Sequence, residues 1–411
     1  MWWEKKLTQW AANLREHANL SARLILWNGQ QYDLGHFTTP RIIFHIHGIR
    51  ALPYFLKPNL AKLSAAYIQG KIDVEGKLND LIEISYAFVR QTLATPRSSI
   101  QARMRRSFSH LLAHSRSADK KAIQYHYDVS NQFYRLWLDP NLVYSCAYFE
   151  NGDEDLTTAQ LKKIDHILTK IELKPGQTLL DIGCGWGALL LRAAQKFGAQ
   201  GTGITLSKNQ FELATERVQA AGLSQQITIK LQDYRDLTPE INGQFDRITS
   251  VGMFEHVGRK HLPAYFTKIQ TLLKDNGIAL NHGITSSAQQ RGEGSLGGDQ
   301  FIDQYVFPGG DLPHLSFVLS AMQQGGLTAF DVENLRRHYA RTLTIWSERF
   351  EQQAPAVKAL VEEKKFRIWR IYLAGCAYAF EHDDTSIYQI ICRKAGCPAQ
   401  TLPWSRRYIY R

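Results

Sequence analysis

The stretch Thr178-Leu179-Leu180-Asp181-Ile182-Gly183-Cys184-Gly185-Trp186-Gly187 decides the fold. Thr178 to Ile182 reads as a short buried strand, the three glycines as the turn that follows, and the apolar run from Ala188 as a helix. With no Cβ at Gly183, Gly185 and Gly187, a flat ligand can lie against the backbone at the helix N-terminus. A tight strand-to-helix turn would also use glycine. A second strand, Gly201 to Thr205, at the distance of a βαβ unit favours the ligand cradle. Spacing then selects the ligand. A dinucleotide fold spaces its glycines Gly-x-Gly-x-x-Gly and ends the second strand in an acid for the ribose. Here the pattern is Gly-x-Gly-x-Gly and that strand ends in Thr205, which argues against NAD.

Downstream, strand-like and helix-like segments alternate. Strands are expected near Gly201 to Thr205, Ile227 to Leu231, Asp246 to Val251 and Gly277 to Ile284, and helices near Lys208 to Ala221 and His261 to Leu273. This alternation predicts an α/β fold with a doubly wound, Rossmann-like sheet, entered through a helix from Thr157 to Leu173. Ser286 to Pro313 interrupts it with a Gly-rich stretch containing Tyr305-Val306-Phe307-Pro308-Gly309-Gly310, an insertion of the length used for lids and substrate loops. Helices around Ala340 to Phe350 and Arg367 to Phe380 and a strand from Ser386 to Arg393 close the chain.

A chain of 411 residues suffices for one large domain and a smaller appendage. No run of 18 apolar residues and no secretory pattern is evident, so a cytoplasmic protein is expected. Five scattered cysteines form no Cys-x-x-Cys pair and no disulfide framework. His110 and His114 stand one helical turn apart but lack further ligands, so no metal is expected.

The net charge of +11 is concentrated near the start, because residues 1–120 hold 17 Lys/Arg against 8 Asp/Glu. That asymmetry fits a polyanionic partner, nucleic acid or anionic phospholipid, or simply a solvated basic face. Trp3, Leu7, Trp10 and Leu14 fall at helical spacing, which suits a membrane interface, a dimer contact or core packing alike. An alternating segment Arg41 to His47, helical periodicity from Ala51 to Tyr67 and a turn and strand over Gly70 to Gly76 follow. The expected division is an N-terminal basic lipid-interaction or dimerisation domain at 1–94, a linker at 95–121 rich in Arg and Ser, and a catalytic domain at 122–411.

Four further motifs carry chemistry. The aromatic stretch His126 to Phe149 ends in Tyr144-Ser145-Cys146-Ala147-Tyr148-Phe149. Met253-Phe254-Glu255-His256-Val257-Gly258 follows the fourth strand, Asn281-His282-Gly283-Ile284 ends the fifth, and His338-Tyr339-Ala340-Arg341-Thr342-Leu343 lies downstream. Open α/β sheets place their ligands at such strand ends. Taken singly, Glu255 could be an acid at a helix start and His282 a satisfied core histidine.

With the glycine triplet after Leu-Leu-Asp and the run Thr205-Leu206-Ser207-Lys208-Asn209-Gln210, these motifs strongly resemble the cyclopropane fatty acid (mycolic acid) synthases, a family of class I S-adenosylmethionine (SAM) methyltransferases. The resemblance spans about Ala122 to Arg393. It implies transfer of a methylene from SAM to a cis double bond of an unsaturated phospholipid acyl chain, at the inner face of the membrane, with bound bicarbonate as base. By the same resemblance, bicarbonate is held by Cys146, Glu255, His282, the backbone at Ile284 and Tyr339. SAM is held by Tyr144, Ser145, Asp181, Gly183, Cys184, Gly185, Trp186, Gly187, Thr205, Leu206, Gln210, Tyr234 and Arg235. Alternatives with the same cofactor are a lipid methyltransferase leaving a methyl or methylene branch and an amine-methylating relative. A nucleic-acid methyltransferase is disfavoured, since the chain has no Asn/Asp-Pro-Pro-Tyr run and no Pro-Cys pair. A non-catalytic SAM or lipid sensor is disfavoured by the full set of polar residues. A homodimer is compatible with the sequence.

Overall fold

The computed structural model describes residues 2–56, 58–93, 129–287, 296–307, 312–398 and 403–410. The expected linker at 95–121 and the His110/His114 pair lie outside the described residues. The chain divides into two compact units, one of residues 1–109, 290–308 and 350–379, the other of residues 110–289, 309–349 and 380–411.

The first unit holds a small sheet of β1 (Ala22–Leu26), β2 (Gln31–Asp33), β3 (Ile42–Ile46) and β4 (Ile72–Gly76) in the order β2-β1-β3-β4. β1 and β3 alternate buried and half-buried positions, the signature of a sheet with one covered face. The N-terminal helix Trp2–His17 buries Leu7, Ala11 and Leu14, and Trp10 meets Phe88 edge-on at 5.8 Å. Of the three readings of that apolar stripe, core packing is the one observed for Leu7, Trp10 and Leu14. The helical run expected over Ala51 to Tyr67 is two helices, Leu52–Leu56 and Leu60–Ile68, with Pro58 between them and Asn59 capping the second through Lys62 N.

Two segments from late in the chain complete this unit. Helix Gly298–Tyr305, inside the stretch expected to be a lid or substrate loop, buries Phe301 and packs on Leu60–Ile68, and Leu60 N donates to Leu296 O at 3.1 Å. Phe307 meets Tyr372 edge-on at 6.0 Å. In helix Glu363–Glu381, Arg367 pairs with Asp73 at 2.7 Å, and Arg370 donates to the Tyr67 hydroxyl at 2.9 Å.

The second unit is built on β5 (Thr178–Ile182), β6 (Gln200–Thr205), β7 (Ile227–Leu231), β8 (Phe245–Val251), β9 (Leu273–Ser286), β10 (Leu327–Asn334) and β11 (Thr385–Lys394), ordered β10-β11-β9-β8-β5-β6-β7. β7, β6, β5, β8 and β9 run parallel, while β11 lies antiparallel between β9 and β10. This is the doubly wound α/β order with an antiparallel strand inserted near one edge. β5 is central, and Leu179, Leu180 and Ile182 are fully buried, each contributing about 1.5–3 kcal/mol. The expected strands and helices are present with ends shifted by a few residues. Strand β10 and helix Leu315–Gln324 are additional.

The strand order reverses at β5, with β6 on one side and β8 on the other. A crevice therefore opens beyond the C-terminal ends of these strands, where such sheets bind ligands. Gly203 on β6 is required by close approach: a Cβ there would lie 2.5 Å from Leu190 Cδ1 and 2.8 Å from Cys184 Sγ. Gly203→Ala should therefore cost about 1–3 kcal/mol of unfolding free energy by overpacking. Chemical denaturation checks this, and a variant as stable as the native chain would contradict the packing described.

Candidate active site

The turn after β5 is built from left-handed glycines, with φ of 82° at Gly183, 55° at Gly185 and 81° at Gly187. Only glycine adopts these values without strain. Gly183 N and Cys184 N both donate to Ile204 O at 3.0 Å, and Gly187 N to Cys184 O at 3.0 Å, which pins the turn to β6. A Cβ at Gly187 would touch Ala214 at 3.4 Å, whereas one at Gly185 would meet nothing within 4 Å. Gly185 is thus not needed for internal packing, and its bare face borders open space.

That space is a cavity over the ends of β5, β6 and β8. Of the residues assigned to SAM, Tyr144, Ser145, Asp181, Gly183, Cys184, Gly185, Trp186, Thr205, Leu206, Gln210 and Tyr234 line it. Gly187 and Arg235 do not. Gly187 is the N-cap of helix Ala188–Phe197. Arg235 folds back on Asp233 through two hydrogen bonds of 2.9 and 2.6 Å. Lys163 and Gln232 also line the cavity and were not anticipated, as do Met253 and His256, which stand in the motif after the fourth strand but were given no role there. Their signal was weak, since a lysine inside an amphipathic helix ordinarily reads as solvated.

The cavity wall is held by specific bonds. Thr205 Oγ1 donates to Gln210 Oε1 at 2.8 Å, and Trp186 Nε1 donates to Asn131 Oδ1 at 2.8 Å. Gln160 Nε2 donates to Ser145 O at 2.8 Å, and Lys163 Nζ donates to Ser145 Oγ at 2.7 Å. Burial pulls the Lys163 ammonium down to about 8 against the opposing pull of Cys146, Asp139 and Asp181. Burial raises Asp181 to about 6, though Thr249 Oγ1 donates to it at 2.8 Å. Tyr144 packs among Tyr134, Trp137 and Trp346 with centroids 5.3–5.6 Å away.

The residues assigned to bicarbonate come from three places. Glu255 follows β8 in a single 3-10 turn, Phe254–His256. The turn seats against β9 because Gly283 has no side chain: a Cβ there would lie 2.1 Å from Phe254 Cε1. Glu255 Oε1 accepts from Ile284 N at 2.7 Å, so this backbone donor is already engaged by the protein. Glu255 Oε2 is buried with no hydrogen-bond partner. Burial raises the carboxyl to about 7 in spite of the Ile284 bond.

His282, two residues before Ile284, is buried. Its Nδ1 lies 3.1 Å from Gln389 Nε2, and its Nε2 is buried without a partner. Burial pushes its pKa well below the usual histidine value, so the ring is neutral at physiological pH.

Cys146 lies on the cover segment and Tyr339 on helix Arg336–Gln352. Phe149 N donates to His338 Nδ1 at 3.0 Å and Ala147 N to Thr342 Oγ1 at 3.1 Å, fastening the cover to that helix. Cys146 Sγ lies 3.8 Å from Leu335 O, and Leu335 N donates to Ile387 O, opposite Ile284 on β9. Burial pushes the Cys146 thiol far up, so it stays protonated, a weak donor and not a nucleophile. Tyr339 is buried between Phe380, 4.7 Å away, and Trp346, 6.1 Å away.

The family model for mycolic acid cyclopropane synthetase matches residues 114–390. The chain belongs to that family. It is thus a SAM-dependent methyltransferase of the cyclopropane fatty acid synthase type. A second family model, a domain of unknown function (DUF7884), matches residues 9–96. A "Probable fatty acid methyltransferase" of Pseudomonas putida is 43% identical over 394 residues, covering 96% of this chain and 97% of the relative. The cyclopropane-fatty-acyl-phospholipid synthase of Escherichia coli (strain K12) is 40% identical over 266 residues, 65% of this chain and 66% of its own length. Among solved structures, a mycolic acid cyclopropane synthase complexed with SAH and CTAB matches with a TM-score of 0.63 at 37% identity, over 67% of this chain and 98% of that one. The open face of Gly185 fits the cofactor such a synthase requires.

Gly185→Val should abolish SAM binding in a folded protein, because its side chain would fill the space beside the turn. Calorimetry showing unchanged SAM affinity in the folded variant would contradict the cradle.

Glu255 also predicts a pH effect. The native protein keeps a proton on this carboxyl up to about pH 7, whereas the unfolded chain releases it near 4.5. Between those values the native state binds more protons, so this group's contribution to stability falls as pH rises, by about 3 kcal/mol in all. Glu255→Gln should remove that slope from urea-unfolding stabilities, and an unchanged slope would contradict the burial of an unpaired carboxyl.

Proposed function

We propose that this synthase adds a methylene from SAM across a cis double bond of an unsaturated phospholipid acyl chain, with bicarbonate held as the base. The observation that carries this reading is the pair of buried, unpartnered atoms Glu255 Oε2 and His282 Nε2, displayed from the ends of neighbouring parallel strands. Each such atom costs about 1–3 kcal/mol if nothing meets it. A small guest offering both a hydroxyl and anionic oxygens answers both.

When bound, SAM supplies the methyl group, and bicarbonate supplies a replaceable base for the proton that leaves the transferred methyl group as the ring closes. The chain's own residues do the rest. Glu255 Oε2 would accept the guest's hydroxyl, while His282, Tyr339 and Cys146 orient it. Ile284 contributes by donating its N–H to Glu255, which fixes the carboxylate. An alkene is a poor nucleophile, and its methylation creates a carbocation. Buried Phe254 and Tyr339 offer aromatic faces to that charge, and burial of the whole set keeps water from intercepting it. On the cofactor side, the Leu179 to Gly187 turn, Tyr144, Ser145, Thr205, Leu206, Gln210 and Tyr234 would hold SAM. Gly187 would act by shaping the turn, and Arg235 by fixing Asp233.

A second reading, a lipid methyltransferase leaving a methyl or methylene branch, is favoured by the name of the Pseudomonas putida relative. Incubation with SAM and vesicles of unsaturated phospholipid, followed by proton NMR of the product lipid, separates the two. Both cyclopropane and methylene-branched products gain one methylene at the same count of rings plus double bonds, but only the cyclopropane loses all olefinic protons and gains upfield ring-methylene signals. Activity should fall in carbonate-depleted buffer and recover on adding bicarbonate. Glu255→Gln should lose a charge-assisted hydrogen bond of about 1.5–3 kcal/mol, about ten- to a hundred-fold in rate, and respond much less to bicarbonate. Full native activity after verified carbonate removal would refute the bicarbonate role.

The N-terminal part, 1–94, is assigned to lipid delivery at the inner membrane face or to dimerisation, and residues 122–411 to catalysis. Supporting the lipid role are the basic excess before residue 121 and exposed apolar side chains at the C-terminal ends of parallel β1 and β3, Trp27 and Ile49, the latter followed by Arg50. No helix among the described residues is long and apolar enough to cross a membrane. Ile49→Asp should weaken binding to anionic vesicles, most at low salt where the added charge is least screened, and leave SAM binding intact. Equal vesicle binding by variant and native protein would contradict this assignment.

A further inference from the structure

Behind His282 lies a buried polar chain that the chemistry above does not use. Lys170, on helix Leu156–Lys170, has its ammonium in contact with Glu333 Oε2 from β10 and donates to Gln389 Oε1 from β11 at 2.9 Å. His166 Nε2 meets the same Glu333 oxygen at 2.7 Å, and Tyr410 donates its hydroxyl to Glu333 Oε1 at 3.1 Å. Gln389 and Lys170 are fully buried. Burial works to raise the Glu333 carboxyl, but His166 and Lys170 outweigh it and hold it well below the usual carboxylate range. Burial lowers the pKa of Lys170, but the Glu333 carboxylate in direct contact opposes that, so the pair stands as an anion facing an ammonium.

An ammonium has donors and no acceptor, so the Gln389 oxygen must be the atom that faces Lys170. The Gln389 amide nitrogen is then the atom 3.1 Å from His282 Nδ1. An amide NH₂ can only donate, so Nδ1 must be the bare, accepting nitrogen of the neutral ring. The proton of that ring is consequently on Nε2, the atom left without a partner.

We propose that Lys170 and Gln389 are positioning residues that lock His282 as the Nε2–H tautomer, so that it serves the reaction as a hydrogen-bond donor and not as a base. The donor role rests on the bicarbonate reading above, since a donor suits an anionic oxygen. The tautomer itself does not depend on that reading. The lock also explains why a lysine is buried in the helix facing the sheet. Its charge is neutralised by Glu333, and its geometry is passed through one amide to the ring.

The test is nitrogen NMR of the full-length protein labelled with ¹⁵N-histidine, in carbonate-free buffer without SAM, with His282 assigned by loss of its signals in His282→Gln. The expected spectrum shows a protonated Nε2 and an unprotonated Nδ1. Protonation at Nδ1 instead would overturn the proposal, and this needs no variant at the lock itself. In Gln389→Glu, the new carboxylate can accept from both Lys170 and the ring, so the proton should move to Nδ1. Turnover should then fall at least tenfold with the SAM dissociation constant unchanged. An unmoved proton in the folded variant would overturn the lock, and a moved proton with full turnover would overturn the donor role. A synthase that needs no bicarbonate but shows the Nε2–H ring would refute the bicarbonate reading while leaving the lock intact.

Discussion

One hydrogen bond organises the reacting end of the sheet: Ile284 N donates to Glu255 Oε1 at 2.7 Å. It ties the turn after β8 to the following parallel strand, engages one carboxyl oxygen, and leaves the other buried and unanswered. The bond depends on the approach of Phe254 to β9, which only a glycine at position 283 permits. An isolated carboxylate in such surroundings is expensive, and the protein meets that cost by raising Glu255 to about 7, where it can gain or lose a proton near neutral pH. Stability is given up at this point, which leaves an oxygen already desolvated and aimed, the arrangement that binding a polar guest would require.

The same sheet separates two tasks. At the switch point, β5, β6 and β8 present backbone and small side chains, with Gly185 open to the cavity. One strand further along, β9 presents His282 and the Ile284 amide, backed by β11 through Gln389. The antiparallel insertion of β11 between β9 and β10 makes this possible. It brings Gln389 opposite His282 and Glu333 opposite Gln389, so that a row of three polar side chains crosses the sheet. Helix Leu156–Lys170 supplies the cation that closes the row.

Much of this was legible in the sequence, because buried parallel strands read as short apolar runs and the glycine triplet follows one of them directly. β5, β7 and the helix after Ser207 could be placed almost to the residue. β10 could not: Leu327–Asn334 alternates with mostly half-exposed and exposed positions and carries Asp331, Glu333 and Asn334, so it resembles a surface loop. The apolar stripe of the first helix had three readings that only packing against Phe88 could separate. Nor does local pattern reveal that residues 290–308 and 350–379 join the first unit, since the contacts of Phe301 and Arg367 span hundreds of residues. Among the site residues, Arg235 was expected beside the cofactor, but its neighbour Asp233 offers a bidentate partner two residues away. The Lys170–Gln389 link was invisible because neither residue belongs to a motif.

The central claim is that Glu255 and His282 form a preorganised seat for bicarbonate. Titration of the carbonate-free protein with ¹³C-bicarbonate, followed by carbon NMR, tests it most directly. The account predicts a saturable bound signal at one site per chain, lost in Glu255→Gln and in His282→Ala while SAM binding persists in both. A bound signal of equal strength in those variants, or none in the native protein, would contradict it.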